Sequence, residues 1–334
     1  MTAHAELSGE LLAPGAVATV RVPATSANLG PGFDSLGLAL GVHDVVTATA
    51  LPTPGVEVEV RGEGADGVPR DERHLVVRAV RAGLAQAGLP AERQPGLRLT
   101  CENVIPHGRG MGSSAAAVVA GLMAARGLLA DPTRLDDECL LALATRFEGH
   151  PDNAAAALYG GCTISWQSVL PSTSLPAGGP RAERVEVRAD LEPVVCVPTT
   201  ELSTETARAM LPAEVPHADA AFNAGRAALL VQALTRQPSL LLEATEDRLH
   251  QTQRAPAMRP TADLIARVRA AGGAAVVSGA GPSVLVLGAG DEAWNAVQSA
   301  LAGPDPHGVR WQALRTGVDG SGAVLATDGD FTGR

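Results

Sequence analysis

Residues 105–117 read IPHGRGMGSSAAA, with Gly108, Gly110 and Gly112 alternating with larger residues ahead of Ser113, Ser114 and an alanine run. Without Cβ atoms, such a turn lets backbone N–H groups converge on an anion, and a helix opening there sets the positive end of its dipole behind them. The two hydroxyls can add ligands for phosphate or a divalent cation. Taken alone, a glycine string like this is more often a surface loop with N-capping serines. Pro106 at the loop entry, a strand before it and a buried helix after it favour the phosphate cradle. Two further clusters carry reactive groups. Residues 22–40, VPATSANLGPGFDSLGLAL, gather Thr, Ser, Asn28 and Asp34 among glycines, and residues 148–153, EGHPDN, set Glu148, His150, Asp152 and Asn153 at a helix end. The plain alternative for the first cluster is a turn rich in side-chain-to-backbone hydrogen bonds.

All 26 basic residues are arginine, and the chain contains no lysine. A Walker A loop, a protein kinase strand lysine and pyridoxal chemistry are therefore excluded. Backbone N–H groups, hydroxyls, metal and arginine remain to hold a phosphate. A net charge of -10 and 2% aromatic residues argue against a nucleic-acid partner. Cys101, Cys139, Cys162 and Cys196 lie far apart without CxxC spacing, as expected of buried, reduced thiols. The longest apolar run, residues 115–125, falls short of the ~20 residues that span a bilayer. The first residues, with Glu6 and Glu10, show no basic patch followed by an apolar core. The expectation is a cytoplasmic protein without membrane contact.

The elements that must position these groups follow from periodicity. Alternation in VATVRV (17–22) and VEVEVR (56–61) reads as half-buried strands, and GLRLTCEN (96–103) as a strand leading into the glycine turn. Helices are expected over about 74–87, over 113–129, apolar on most sides, and over about 136–147, where Leu140, Leu143, Ala144 and Phe147 share one face. Residues 168–184, rich in Pro, Ser and Gly, read as a connector. The second half alternates strands (194–198, 274–278, 283–287, 309–314) with helices (218–234, 262–271, 292–301), which suggests helices on one face of a small sheet.

PHGRGMGSSAA resembles the PxxxGLGSSAA loop of the GHMP small-molecule kinases, with Met111 at the usual leucine position, and VSGAGPSVLVL (277–287) resembles their C-terminal glycine motif. Both motifs stand in the expected order and span most of the chain. The resemblance implies a two-domain α+β fold, with an S5-like ATP-binding domain over 1–168 and a ferredoxin-like α/β sandwich over 185–334. It implies ATP and Mg²⁺, with Pro106, Gly108, Arg109, Gly110, Met111, Gly112, Ser113, Ser114 and Ala115 forming the nucleotide loop. Residues 22–40 are similar to the signature of the homoserine kinase branch, and HPDN supports the same branch. L-homoserine, phosphorylated to O-phospho-L-homoserine for threonine biosynthesis, is the implied substrate. Around it would stand Asn28, Asp34 for the ammonium group, His150, Asn153 and Gly279. Arg208 in LSTETARAMLP and Arg254 in DRLHQTQRAP resemble family arginines, and a planar guanidinium suits the substrate carboxylate. Asn153 would orient the attacking hydroxyl. Asp152 stands where some GHMP kinases carry a catalytic aspartate, and its role as a base stays open.

The chain departs from the family in two places. GHMP kinases hold Mg²⁺ with the loop serine, here Ser114, and a helix glutamate that often stands four residues before the histidine of HPDN, where this chain has Arg146. Arg146 and Glu148 flank the apolar stripe from opposite sides, and the preference of Mg²⁺ for oxygen selects Glu148. Where relatives commonly carry Asn, this chain has His74, which leaves the contact to the nucleotide base open. A GHMP kinase for another small alcohol and a catalytically silent, ligand-sensing homologue are the competing readings. A homodimer is left open.

Overall fold

The computed structural model describes residues 11–13 and 15–326. Glu6, Glu10 and the outer limits of the expected domains, Met1 and Arg334, therefore lie outside the described residues.

Two sheets organise the chain. In the first, β1 (Val17–Ala27), β2 (Leu36–Leu51), β3 (Val56–Gly62) and β4 (Gly96–Asn103) stand in the order β1-β2-β4-β3. β3 runs parallel to β4, while β2 is antiparallel to both its neighbours. The start of β2 also pairs with β5 (Cys162–Ser168), and β5 with β6 (Gly179–Val185). Four helices pack with this sheet: α1 (Leu75–Gln86), α2 (Ser113–Leu128), α3 (Asp137–Glu148) and α4 (Asp152–Tyr159). Small residues let the first two approach closely, since a Cβ on Gly121 would lie 2.6 Å from that of Ala79. Asp136 caps α3 by accepting the Cys139 N–H at 2.8 Å, and Gly149, at φ 83°, ends it in the left-handed conformation. That stop aims the His150–Asn153 turn back at the start of α2.

The second sheet holds β7 (Val194–Pro198), β8 (Ala274–Val277), β9 (Val284–Leu287) and β10 (Trp311–Arg315), antiparallel in the order β10-β7-β9-β8. Between β7 and β8 come α5 (Thr204–Ala209), α6 (His217–Thr235), α7 (Leu241–Ala244), α8 (Gln251–Arg254) and α9 (Arg259–Ala270), and α10 (Glu292–Leu301) joins β9 to β10. This βαββαβ order is ferredoxin-like.

Two expectations need correction. Helices cover both faces of the second sheet: Val194, Cys196, Ala275, Val284 and Val286 pack with α9 and α10, while Val195, Val276 and Leu285 join the core that includes Leu230 and Leu234 of α6. The strands AAVV and VLVL are apolar at every position, as burial on both faces requires. The 168–184 stretch is only partly a connector, because Gly179–Val185 forms β6 against β5. Its strand state comes from that pairing rather than from its own residues.

The chain returns to the first sheet at its far end, where β11 (Val324–Leu325) pairs with β1. Asp319 fixes the return by accepting from His43 Nε2 at 2.7 Å, Gly322 N–H at 2.7 Å and Ser321 N–H at 2.9 Å. Burial alone would raise this carboxyl, but His43 and the two N–H groups outweigh it and hold its pKa below the ordinary value. Asp319→Ala should cost about 1–3 kcal/mol at neutral pH, read by urea unfolding, because two backbone donors lose their partner. A group with a depressed folded pKa stabilises fully above its unfolded value and loses that contribution as pH falls through the folded one. The gap between wild type and variant should therefore narrow as pH drops from about 5 towards 2; a pH-independent gap would contradict the assignment.

Candidate active site

The glycine turn is positioned from both sheets. Gly108, Gly110 and Gly112 have φ of 63°, 68° and 68°, a region that residues with a Cβ rarely adopt. Thr25 N–H donates to the Met111 carbonyl at 3.0 Å, Leu202 N–H to Gly108 at 3.0 Å, and Ser278 Oγ to Gly110 at 2.6 Å. Gly112 is the N-cap of α2, and no side chain caps that end. The first turn of a long helix thus opens into a cavity of about 320 Å³ lined by Gly108, Gly110, Gly112, Ser113 and Ser114. Pro106, Arg109, Met111 and Ala115 do not line it. Met111 and Ala115 are buried in the core, and Arg109 ties the loop to Pro198 O at 3.2 Å and to Glu201 at 3.3 Å. Arg109, Met111 and Ala115 have only backbone N–H groups to offer an anion there, and Pro106, which has no N–H, shapes the loop entry.

Across from the turn, Ser114 Oγ donates to Glu148 Oε1 at 2.6 Å. Burial pushes the Glu148 carboxyl up, and the Ser114 hydroxyl and His150 only partly offset it. Arg146 is exposed and does not line the cavity. Beyond Glu148, buried Asp152 holds His150 Nδ1 at 2.5 Å and accepts Asn153 N–H at 2.7 Å. Burial acts to lower the His150 pKa, but Asp152 and Asp34 outweigh it and raise the value. Asn153 Oδ1 accepts from Thr25 Oγ1 at 2.8 Å, which ties this turn to β1.

The far wall comes from the loop after β1. Asn28, at φ 70°, accepts Asp34 N–H at 3.0 Å and donates Nδ2 to Gly279 O at 2.8 Å. The Asp34 carboxylate takes a bidentate pair of hydrogen bonds from Arg208, at 2.8 and 3.2 Å. Arg254, 2% exposed, reaches only neutral acceptors, namely Ala207 O at 3.3 Å, Gly279 O at 3.4 Å and His250 Nδ1 at 3.1 Å. Among the described residues no carboxylate oxygen lies within ion-pair distance of its guanidinium. Arginine can only donate, so His250 is the neutral tautomer with Nε2–H donating to Gly30 O at 2.8 Å. Burial, the largest influence, lowers the His250 pKa accordingly.

The structure thus gathers Asn28, Asp34, Glu148, His150, Asp152, Asn153, Arg208, Arg254 and Gly279 with the loop around one cavity. Sequence reasoning missed Thr25, Ser203, Thr204 and His250. Ser203 and Thr204 line the cavity at the start of α5, and Ser203 caps that helix through Thr206 N–H, a signal legible in LSTET. His250 stands four residues before Arg254 in DRLHQTQRAP, the spacing of neighbours on one helix face, and it contacts that arginine at 3.1 Å.

A cleft between an S5-like and a ferredoxin-like unit, with a glycine turn opening a helix on one side and the Asp34–Arg208 pair on the other, fits a small-molecule phosphotransferase. The family models for the N-terminal and C-terminal domains of GHMP kinases match residues 74–161 and 220–303. The homoserine kinase of Streptomyces coelicolor is 52% identical over 320 residues, covering 94% of this chain and 97% of that protein. That of Clavibacter michiganensis is 50% identical over 316 residues, covering 94% and 95%. The crystal structure of homoserine kinase from Cytophaga hutchinsonii superposes with a TM-score of 0.80 at 26% identity, covering 94% of this chain and 98% of that one. The chain belongs to the GHMP kinases and, within them, to the homoserine kinase family.

A Cβ on Gly112 would overlap Thr25 Oγ1 and press on Asn153 Oδ1 at 3.2 Å. Gly112→Val should therefore lower turnover by about 10²-fold, because misplacement by an ångström costs that much. Thermal unfolding of the same variant verifies that it is folded; normal turnover in a folded variant would mean that the loop does not cradle the phosphates.

Proposed function

We propose that the chain transfers the γ-phosphoryl group of ATP to the side-chain hydroxyl of L-homoserine, giving O-phospho-L-homoserine and ADP. The observation that carries the substrate assignment is Arg254. A buried guanidinium facing a cavity without a carboxylate partner is costly, and a substrate carboxylate supplies the missing charge. Asp34 and Arg208 neutralise each other across the same cavity. An amino-acid zwitterion inserted between them replaces one ion pair with two, ammonium to Asp34 and carboxylate to the arginines.

The remaining residues take complementary parts. The open first turn of α2 and the Ser113 hydroxyl receive phosphate oxygens. Asn153, fixed by Thr25, orients the hydroxyl for in-line attack, and Asp152 holds His150 beside it. Ser114 and Glu148 offer two oxygen donors, the set a hard cation prefers, so they would hold Mg²⁺. When bound, that ion supplies charge neutralisation at the phosphates. With positioning and charge stabilisation dominating such transfers, no strong base is required. A cytoplasmic location belongs to the same reading.

ADP release measured against a panel of alcohols tests the substrate. L-homoserine should be turned over and mevalonate should not; reaction with another alcohol in its place would sink the assignment. For the metal, Glu148→Gln should lower turnover about 10–100-fold and raise the Mg²⁺ concentration required. Arg146→Ala, on the exposed face, should change turnover by no more than about twofold. The reverse pattern would remove Glu148 from the metal site.

A further inference from the structure

Behind Arg254 lies a buried polar network that joins the loop after β1 to the second unit. His250 is 0% exposed and stands at its centre. Its Nε2–H donates to Gly30 O at 2.8 Å, and its Nδ1 accepts from Arg254 Nη1 at 3.1 Å, at the end of α8. Phe33, next to Asp34, packs on both residues, 5.2 Å from the His250 ring and 5.6 Å from the Arg254 guanidinium. The histidine is itself fixed from behind. The buried carboxylate of Asp247 accepts the N–H groups of Leu249, His250 and Gln251 at 3.0, 3.1 and 2.8 Å. Asn223 Nδ2 donates to the same carboxylate at 3.0 Å and to Pro31 O at 3.3 Å. One imidazole is thus bonded to the substrate-side loop through one nitrogen and to Arg254 through the other.

The Arg254 guanidinium uses Nε on Ala207 O and Nη1 on His250 and Gly279 O, so that among the described residues Nη2 has no acceptor. Bonds from two of its nitrogens fix the plane of the rigid fork and leave Nη2 to meet a ligand in the cavity that Arg254 lines. Asp34 lines the same cavity, four residues beyond Gly30. We propose that His250 is a positioning residue for substrate selection: by tying Arg254 to the backbone of the loop that carries Asp34, it holds the two charge contacts at the separation of the carboxylate and ammonium of one α-amino acid. Without that tie each contact keeps its chemistry, but binding must also immobilise a guanidinium that the fold no longer orients, which weakens affinity. A plain packing role for the ring differs from this, since a hydrocarbon ring of equal size fills the same space and bonds neither partner. This inference rests on the amino-acid kinase reading above.

Steady-state kinetics of the full chain, with L-homoserine and ATP varied separately, test it. His250→Phe should raise the KM for L-homoserine about 10–100-fold, the loss of a hydrogen bond to a charged group, with kcat and the KM for ATP within about threefold of wild type. Arg254→Lys should raise the same KM. Adding His250→Phe to it should then raise KM by less than the two single effects multiplied, because a residue that acts through the arginine has less to lose once the planar fork is gone. Thermal unfolding verifies that each variant is folded. Where His250→Phe is not, His250→Asn, which keeps an acceptor near the place of Nδ1 but cannot reach Gly30, replaces it and should show a smaller rise. A wild-type KM for L-homoserine in a folded His250 variant overturns the inference. So does a fall in kcat with equal rises in both KM values, which marks a general structural role, and so do single effects that multiply in the double variant. If the unaltered chain turns over no L-homoserine, the amino-acid reading itself fails; normal turnover beside any of these results sinks the inference alone.

Discussion

The Gly110 carbonyl accepts the Ser278 hydroxyl at 2.6 Å, and the cleft exists because two glycine turns from different sheets can meet that closely. A Cβ on Gly110 would overlap the Ser278 carbonyl and crowd Gly281 O at 2.8 Å. The same buried Ser278 hydroxyl lies 2.9 Å from Ser26, and Gly279 N–H donates to Ala27 O at 3.2 Å, so the end of β1 is stitched into the junction. Gly279 then serves both sides of the site, its carbonyl accepting from Asn28 and from Arg254. The glycine turn proposed to receive phosphate, the loop after β1 and buried Arg254 are thus held in register by backbone groups within a few residues of one contact.

The lack of lysine gives the site its electrostatic character. Guanidinium groups are rigid, always charged and suited to planar partners. Arg208 and Arg254 both lie over Phe33, 5.9 and 5.6 Å from its ring centre, which keeps two cations beside Asp34 on one side of the cavity while Asp152 and Glu148 supply further negative charge to its lining. In the proposed function no single flexible cation serves the phosphates, and that work passes to backbone dipoles and hydroxyls already oriented by the fold.

Much of the frame was legible in local sequence. The β4 strand, the buried α2 helix, the capped α3 helix and all four strands of the second sheet announce themselves through periodicity or caps, which depend on neighbours a few residues away. What escaped depends on partners far along the chain. β6 is a strand because β5 offers it an edge, and the second sheet is covered twice because α6 and α7 fold back over it. Arg254 has the composition of a surface residue, and only convergence with Gly279, Ala207 and His250 buries it. Likewise, periodicity placed Arg146 and Glu148 on opposite flanks of one stripe. The packing of α3 against the start of α2 decides that Glu148, and not Arg146, meets Ser114.

The return of β11 to β1 sets an order on synthesis. Arg21 is opposite Val324, so the strand that carries Thr25 and ends beside Asn28 leaves the ribosome about 300 residues before its outer neighbour. At about 5–20 residues per second, that edge stays open for roughly 15–60 s. An uncovered edge strand is a template for pairing with other chains. The outer edge of β1 opposite Val324 is therefore covered only by residues made near the end of synthesis.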